Sequence, residues 1–362
     1  MAGAAAVAVV AVAAVLIPLS TGTRHAAGPD RRHGLGGGAT VYAGYDLTNG
    51  SSGQALGSVV IPIGTARDRA GQPVKVGDGP MFIPGGQIAI TPNGKTAYVA
   101  DLCDNTVTPV STASNTAGRP IHVGPGPVWI AITPDGRTAY VANESQPGTI
   151  TPIDTATNTA GRPIHVTREP FDIAITPDGK TAYVLSRSAG IPTRSVLTPI
   201  STATNTPGKR IYLNGLGGDG FIAITPDGKT AYVSTGYPSA VIPVSTTSNT
   251  AGKPIGLARP DNPGGGQIVI TPDGKTAYVL AGTYTVHPIA TASNVAGPPI
   301  QVKSDCQAKL GSAQAAMAIT PDGKTVYVVC QGAVVPISTA SNLPGKPVRV
   351  PLGYPMAIAI KP

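Results

Sequence analysis

The residues best suited to chemistry stand at one repeated place in the chain. Directly before each short apolar stretch of the Ile-Ala-Ile kind come Gln87, Trp129, Asp172, Phe221 and Gln267, and in the last two copies Ala316 and Ala357. The neighbours recur almost unchanged, whereas these positions differ. Two carboxamides, a carboxylate and two aromatic rings are groups that orient a small polar molecule in a concave site. Only one of the five is ionisable, so the set supplies no acid–base pair and no activated nucleophile. The same residues would equally fill space around an axis, and residue type alone leaves both uses open.

Other chemistry is harder to assemble. His122 and His165 occupy equivalent places in successive repeats where Tyr212 and Arg349 also stand, so they form no metal set. Asp101, Asp104 and Glu144 match no calcium-loop spacing and are expected to be solvated. Gly215-Leu216-Gly217-Gly218-Asp219-Gly220 fits the dinucleotide pattern G-x-G-x-x-G, but β-forming Phe221-Ile222-Ala223-Ile224 follows where that motif needs a helix. There is no Gly-x-Ser-x-Gly elbow, P-loop or Cys-x-x-Cys in the sequence. No metal or cofactor is expected.

The elements that position these residues are legible from a repeat. Gly and Pro number 46 and 37 among 362 residues, and they recur with a period instead of at random. The phrase Ile-Thr-Pro-Asp-Gly-Lys-Thr-Ala-Tyr-Val, or a near copy, begins at Ile90, Ile132, Ile175, Ile224, Ile270 and Ile319. Pro-Asp-Gly makes a tight turn between alternating β-formers, so each copy predicts a hairpin, strands a and b. A second phrase, such as Thr108-Pro109-Val110-Ser111 running on to Pro120-Ile121, predicts strands c and d. Four strands per ~40–50 residues indicate an all-β propeller of antiparallel blades. Seven tyrosines, Tyr42, Tyr98, Tyr140, Tyr183, Tyr232, Tyr278 and Tyr327, count the units. The first unit lacks strand a and the segment Pro355–Ile360 is a strand a with nothing after it, so the C-terminal strand is expected to pair beside Thr40–Tyr42 and close a ring of seven blades.

On this phrase, and on Tyr140-Val141-Ala142-Asn143, the chain resembles the YVTN-type β-propeller repeat family over about residues 40–362. The resemblance implies a secreted or surface-attached seven-bladed propeller, usually without an assigned activity; related propellers include lactonases and sensor or reductase domains. The chain departs from that pattern by a proline in every strand c: Pro62, Pro109, Pro152, Pro199, Pro243, Pro288 and Pro336. Proline removes a ladder hydrogen bond, so its nitrogen is expected to face a gap where strand d is short or bulged. Prolines at the start of d, such as Pro120 and Pro163, would blunt the outer edge.

Hairpin alternation puts the a–b and c–d turns on one face and the variable b–c and d–a loops on the other. The turns are rich in Lys and Arg, whereas acids outnumber bases in the loops, so the net charge of +8 conceals a two-sided distribution. The variable face is expected to bind a protein or carbohydrate. The basic face suits an anionic wall polymer or lipid surface. It lacks the interleaved aromatics of a nucleic-acid site. Cys306 and Cys330 fall on the variable side of one unit, so a disulfide between them is feasible in an oxidising compartment, two buried thiols being the alternative. Cys103 is left over.

Residues 1–27 hold an apolar run, Ala2–Leu19, expected to be a signal peptide or membrane anchor, and 28–39 form a flexible tether to the propeller of 40–362. The expected protein is thus an extracellular or cell-surface monomer acting as a binding scaffold. A lactonase- or hydrolase-like enzyme with a site at the tunnel mouth is the alternative.

Overall fold

The computed structural model describes residues 40–48, 55–64, 69–70, 72–77, 88–187, 195–213, 220–236, 239–257, 265–281, 285–302, 316–330 and 333–349. The regular elements among them are β-strands, arranged as six sheets of five strands and an N-terminal sheet of four. The sheet around Tyr140 shows the plan. Strand a, Pro127–Ile132, is followed by b, Thr138–Asn143, then c, Thr149–Asp154, and then by an outer strand d in two pieces, Thr159–Ala160 and Ile164–His165. Among the described residues the N-terminal sheet has strands b, c and a split d, and Thr40–Thr48 pairs on one side alone, with Ala55–Gly64. The apolar run Ala2–Leu19, the tether, Gln87, Cys306 and the segment Pro355–Ile360 lie outside the described residues. Within those residues no helix is long and apolar enough to cross a membrane.

The hairpins form for the reasons the sequence suggests. In the turn Thr133-Pro134-Asp135-Gly136, the Thr133 hydroxyl donates to Asp135 Oδ1 at 2.6 Å, and the same oxygen accepts from the Arg137 amide at 3.0 Å. Gly136 sits at φ +73°, a left-handed backbone that side chains resist. The c–d turn lies against this one: Thr155 N donates to Arg137 O at 3.0 Å and Thr155 Oγ1 to Gly136 O at 2.5 Å. Both turn types therefore share a face.

The split in strand d follows from the proline in strand c. Tyr98, Tyr140 and Tyr183 stand opposite Pro109, Pro152 and Pro199 across the b–c pairs. Each proline carbonyl accepts from a glycine of strand d: Gly118, Gly161 and Gly208, all at 2.7 Å. The proline nitrogen faces the same side and has no hydrogen to give. Strand d accordingly leaves the ladder for three residues, Gly118-Arg119-Pro120 in the second sheet, and rejoins at Ile121. A Cβ on Gly118 would lie 3.1 Å from Pro109 Cγ, which is why glycine opens the break.

The core is not one mass. Six apolar clusters each join two successive sheets; one unites Tyr140, Ile150 and Ile164 with Ile173, Val184 and Ile200. Strands b and c are buried on both faces, hence their near-continuous Val, Ile and Ala content. The tyrosines add a polar tie. Tyr98, Tyr140, Tyr183, Tyr232 and Tyr278 each donate to the turn asparagine of the next sheet, Asn158, Asn205, Asn249, Asn294 and Asn342, at 2.6–2.7 Å. Those asparagines hold φ of 53–55°, the left-handed conformation Asn tolerates best after Gly. Burial, then the negative charge of Asp154 or Asp135, pushes the Tyr98 and Tyr140 phenols up to about 12, so they remain donors at any ordinary pH.

Candidate binding site at the inner strands

Strand a carries the variable residues, and it is bulged beside them. Its register against strand b slips between Pro127 and Trp129, between Pro170 and Asp172, and between Gly265 and Ile268. A bulge sets two residues against one and re-aims a side chain. Three of the five predicted residues, Trp129, Asp172 and Gln267, sit at these bulges.

Trp129 and Phe221 meet edge to face, with ring centroids 6.1 Å apart and planes at 61°. Such contacts stabilise by about 0.5–1.5 kcal/mol beyond the area they bury. The two rings come from the third and fifth sheets. The sheet between them holds Asp172 at the corresponding position, and Asp172 is 2% exposed. Its Oδ2 accepts from the Ile222 amide of the following sheet at 2.9 Å, while Oδ1 is buried with no hydrogen-bond partner. Desolvation pushes the carboxyl from 3.8 up to about 8, against the pull of the Ile222 and Ile173 amides, so it holds a proton at neutral pH. Gln267 makes the same kind of tie one sheet pair further on: its Oε1 accepts from the Met317 amide at 2.7 Å. The structure thus brings two aromatic rings together and draws two oxygen-bearing side chains into the seams between inner strands. Gln87 lies outside the described residues.

A polar cluster that the sequence did not single out lies on the loop side of the third and fourth sheets. Arg187 Nη1 contacts Glu169 Oε2 at 2.8 Å and Glu144 Oε1 at 3.2 Å, and its guanidinium lies 5.6 Å from the centre of the Phe171 ring. Gln146 Nε2 donates to Glu169 Oε1 at 2.6 Å. Arg187 first, and then Gln146, hold the Glu169 carboxyl below its ordinary range. Arg187 ends strand b and Glu169 precedes strand a of the same sheet, so hairpin pairing was the available signal. Asp101, expected to be solvated, is instead fully buried; its Oδ1 accepts from the amides of Cys103 and Asp104, each at 3.0 Å. The loop needs those amides satisfied, and a short acidic side chain does so locally. Cys330 ends strand b, Thr325–Cys330, and its pairing with Cys306 lies outside the described residues. No group of three or more metal-ligating side chains occurs among the described residues.

No family profile matches the chain, and no curated protein does. Solved structures resemble it in fold. Hydrazine synthase of Kuenenia stuttgartiensis shares 20% identity at a TM-score of 0.61, covering 82% of this chain and 90% of that one. A functionally unknown protein of Desulfotomaculum acetoxidans gives 16% and 0.63, over 88% and 99%. A Bacteroides uniformis protein named provisionally as a 6-phosphogluconolactonase gives 16% and 0.63, over 89% and 99%. At these identities the likeness is one of architecture: an all-β chain of repeated antiparallel sheets of the β-propeller type.

Proposed function

We propose that the chain is an exported or cell-surface, seven-bladed propeller of the YVTN repeat type that acts as a monomeric, non-enzymatic binding scaffold. Its partner, a protein or carbohydrate, meets the variable b–c and d–a loops around Trp129, Phe221, Asp172, Gln267 and Gln87. The opposite, basic turn face meets an anionic wall polymer or lipid surface. The observation that carries the reading is the contrast between the faces. The described turns repeat one set of hydrogen bonds in sheet after sheet, while the loop sequences differ in length and content from one repeat to the next. Ring closure by Met356–Ile360 is supported by Thr40–Thr48 having one described partner strand where the other sheets supply a strand a. A Cys306–Cys330 disulfide would fasten two loops of the variable face.

The enzymatic alternative, a lactonase or hydrolase, rests on Asp172 and on the name of one structural neighbour. Asp172 is spent on the Ile222 amide and sealed from solvent, which supports the scaffold reading. The test is a melting screen of the full chain against oligosaccharides and peptides, together with a lactone panel. A ligand that raises Tm in the native chain and not in Trp129→Ala/Phe221→Ala is expected. Lactone turnover that disappears in Asp172→Ala would overturn the scaffold in favour of the enzyme.

A further inference from the structure

The cations of the turn face are not equivalent. Those of the a–b turns are largely answered within their own turn. Arg137 lies 3.8 Å from Asp135, Lys180 3.7 Å from Asp178, Lys275 3.4 Å from Asp273 and Lys324 3.8 Å from Asp322. The cations of strand d are different. Arg119, Arg162, Lys209, Arg210, Lys253 and Lys346 stand in the break opposite the strand c proline, in Gly-Arg-Pro, Gly-Lys-Arg or Gly-Lys-Pro. All are exposed, and none forms an ion pair among the described residues. The break also takes their backbone out of the ladder, so among the described residues each amide hydrogen beside the charge has no backbone acceptor. The glycine that opens each break runs close against the strand c proline: a Cβ there would lie 3.1–3.3 Å from the proline Cγ at Gly118, Gly161, Gly208, Gly252 and Gly345.

Strand d is the outermost strand of each sheet. The breaks therefore fall partway along the outer edge and not at the tip of a turn. Five of the six complete repeats carry a cation there; the sixth has Gly297-Pro298-Pro299. We propose that this interrupted belt of cations and amides is a docking track for a linear polyanion running around the rim, its repeated charges matched to successive breaks. The proposal deepens the anionic-partner part of the reading above and rests on it. It favours a chain over a lipid sheet because a flat bilayer would meet the turn tips, where four of the six cations already have a carboxylate of their own turn within 4 Å.

Long-chain polyphosphate is the probe, titrated against the full chain at several salt concentrations. Binding that falls steeply and linearly in logarithmic salt is expected, as counterions are released. A graded series from Arg119→Gln/Arg162→Gln to Gln at all six positions is expected to weaken binding stepwise, by tenfold or more at the end. Gln at Arg137, Lys180, Lys275 and Lys324 together is expected to change it less than threefold. Equal losses in the two sets would overturn the proposal, as would binding to phosphatidylglycerol vesicles without binding to polyphosphate, or no salt-dependent binding at all. Melting shifts from loop-face ligands should be the same in the rim variants, so failure here is distinguishable from failure of the loop-face reading.

Discussion

The turn face and the loop face are made from the same strands and solve opposite problems. On the turn face one arrangement is used again and again: threonine to aspartate, threonine to glycine carbonyl, tyrosine to the next asparagine. On the loop face the side-chain contacts among the described residues differ from sheet to sheet. Asn143 donates to Thr149 and Thr151, Asp101 caps its own loop, Ser234 donates to the Gly266 carbonyl at 2.8 Å, and Arg187 binds two carboxylates from neighbouring loops. Repetition on one side relieves the other of holding the fold together, and that freedom lets loops diversify without cost to the sheets.

If this contrast is right, equivalent substitutions should cost the same in every repeat on the turn side and differ widely on the loop side. The largest effect is expected at Gly220, where a Cβ would lie 1.9 Å from the Ser234 carbonyl oxygen. Gly220→Ala forces the backbone apart and should destabilise by about 3 kcal/mol, as overpacking against main chain does. Gly256→Ala in the same sheet meets nothing within 4 Å and should be nearly neutral by denaturant melting. Comparable losses at both positions would break the comparison.

Asp172 comes next, and its effect has a pH signature. The folded chain holds this proton more tightly than an unfolded one, with the carboxyl raised from 3.8 to about 8. Stability from this group is therefore full below about pH 4, declines as pH rises to about 8, and stays low above that. Asp172→Asn keeps an oxygen for the Ile222 amide and removes the titration. It leaves the partnerless Oδ1 position polar, so any gain comes from removing the ionisation of a buried carboxyl: Asp172→Asn should be more stable relative to the native chain at pH 8 than at pH 4, and should flatten the slope in Tm against pH. An unchanged slope would place the carboxyl in contact with water and reopen this position as a chemical site.

The tyrosine ties test the uniform side directly. Tyr140→Phe, Tyr183→Phe and Tyr232→Phe each delete one buried hydroxyl bond to asparagine and should each cost about 1–2 kcal/mol in chemical denaturation. A spread wider than the values themselves would show that the repeats are not energetic copies.

These three tyrosines also show how far sequence reading reaches. Their spacing identified the units and the Pro-Asp-Gly turns identified the hairpins, because both signals are local. The proline in strand c implied the break in strand d, since a missing amide hydrogen is a property of one residue. The tyrosine–asparagine bond joins residues 60–66 apart in Tyr98–Asn158 through Tyr183–Asn249, and periodicity alone does not say which neighbour a side chain reaches. At the inner strands the residue types at Trp129, Asp172 and Gln267 were visible but the bulges beside them were not. A bulge is a property of pairing, and it decides whether a polar side chain faces an opening or a seam.

The smallest effects concern charge, and they separate the faces once more. Arg187 is about one-third exposed, 30%, and serves two carboxylates, so Arg187→Gln should cost about 0.5–1 kcal/mol, the upper range for a pair that solvent still screens. Lys180 and Asp178 are 81% and 55% exposed and 3.7 Å apart, and Lys180→Gln should change the melting free energy by no more than about 0.3 kcal/mol. The Thr176 hydroxyl, then the Lys180 amide, hold the Asp178 carboxyl below its ordinary 3.8. The turn therefore keeps that contribution above about pH 4 and loses it on further acidification, the reverse of Asp172. Because the Lys180 side chain is a minor cause of this shift and its amide is untouched by substitution, the acid-side loss should survive Lys180→Gln and shrink in Thr176→Val. Loss of the acid response in the lysine variant would mean that the ion pair, and not the hydroxyl, organises the repeated turn.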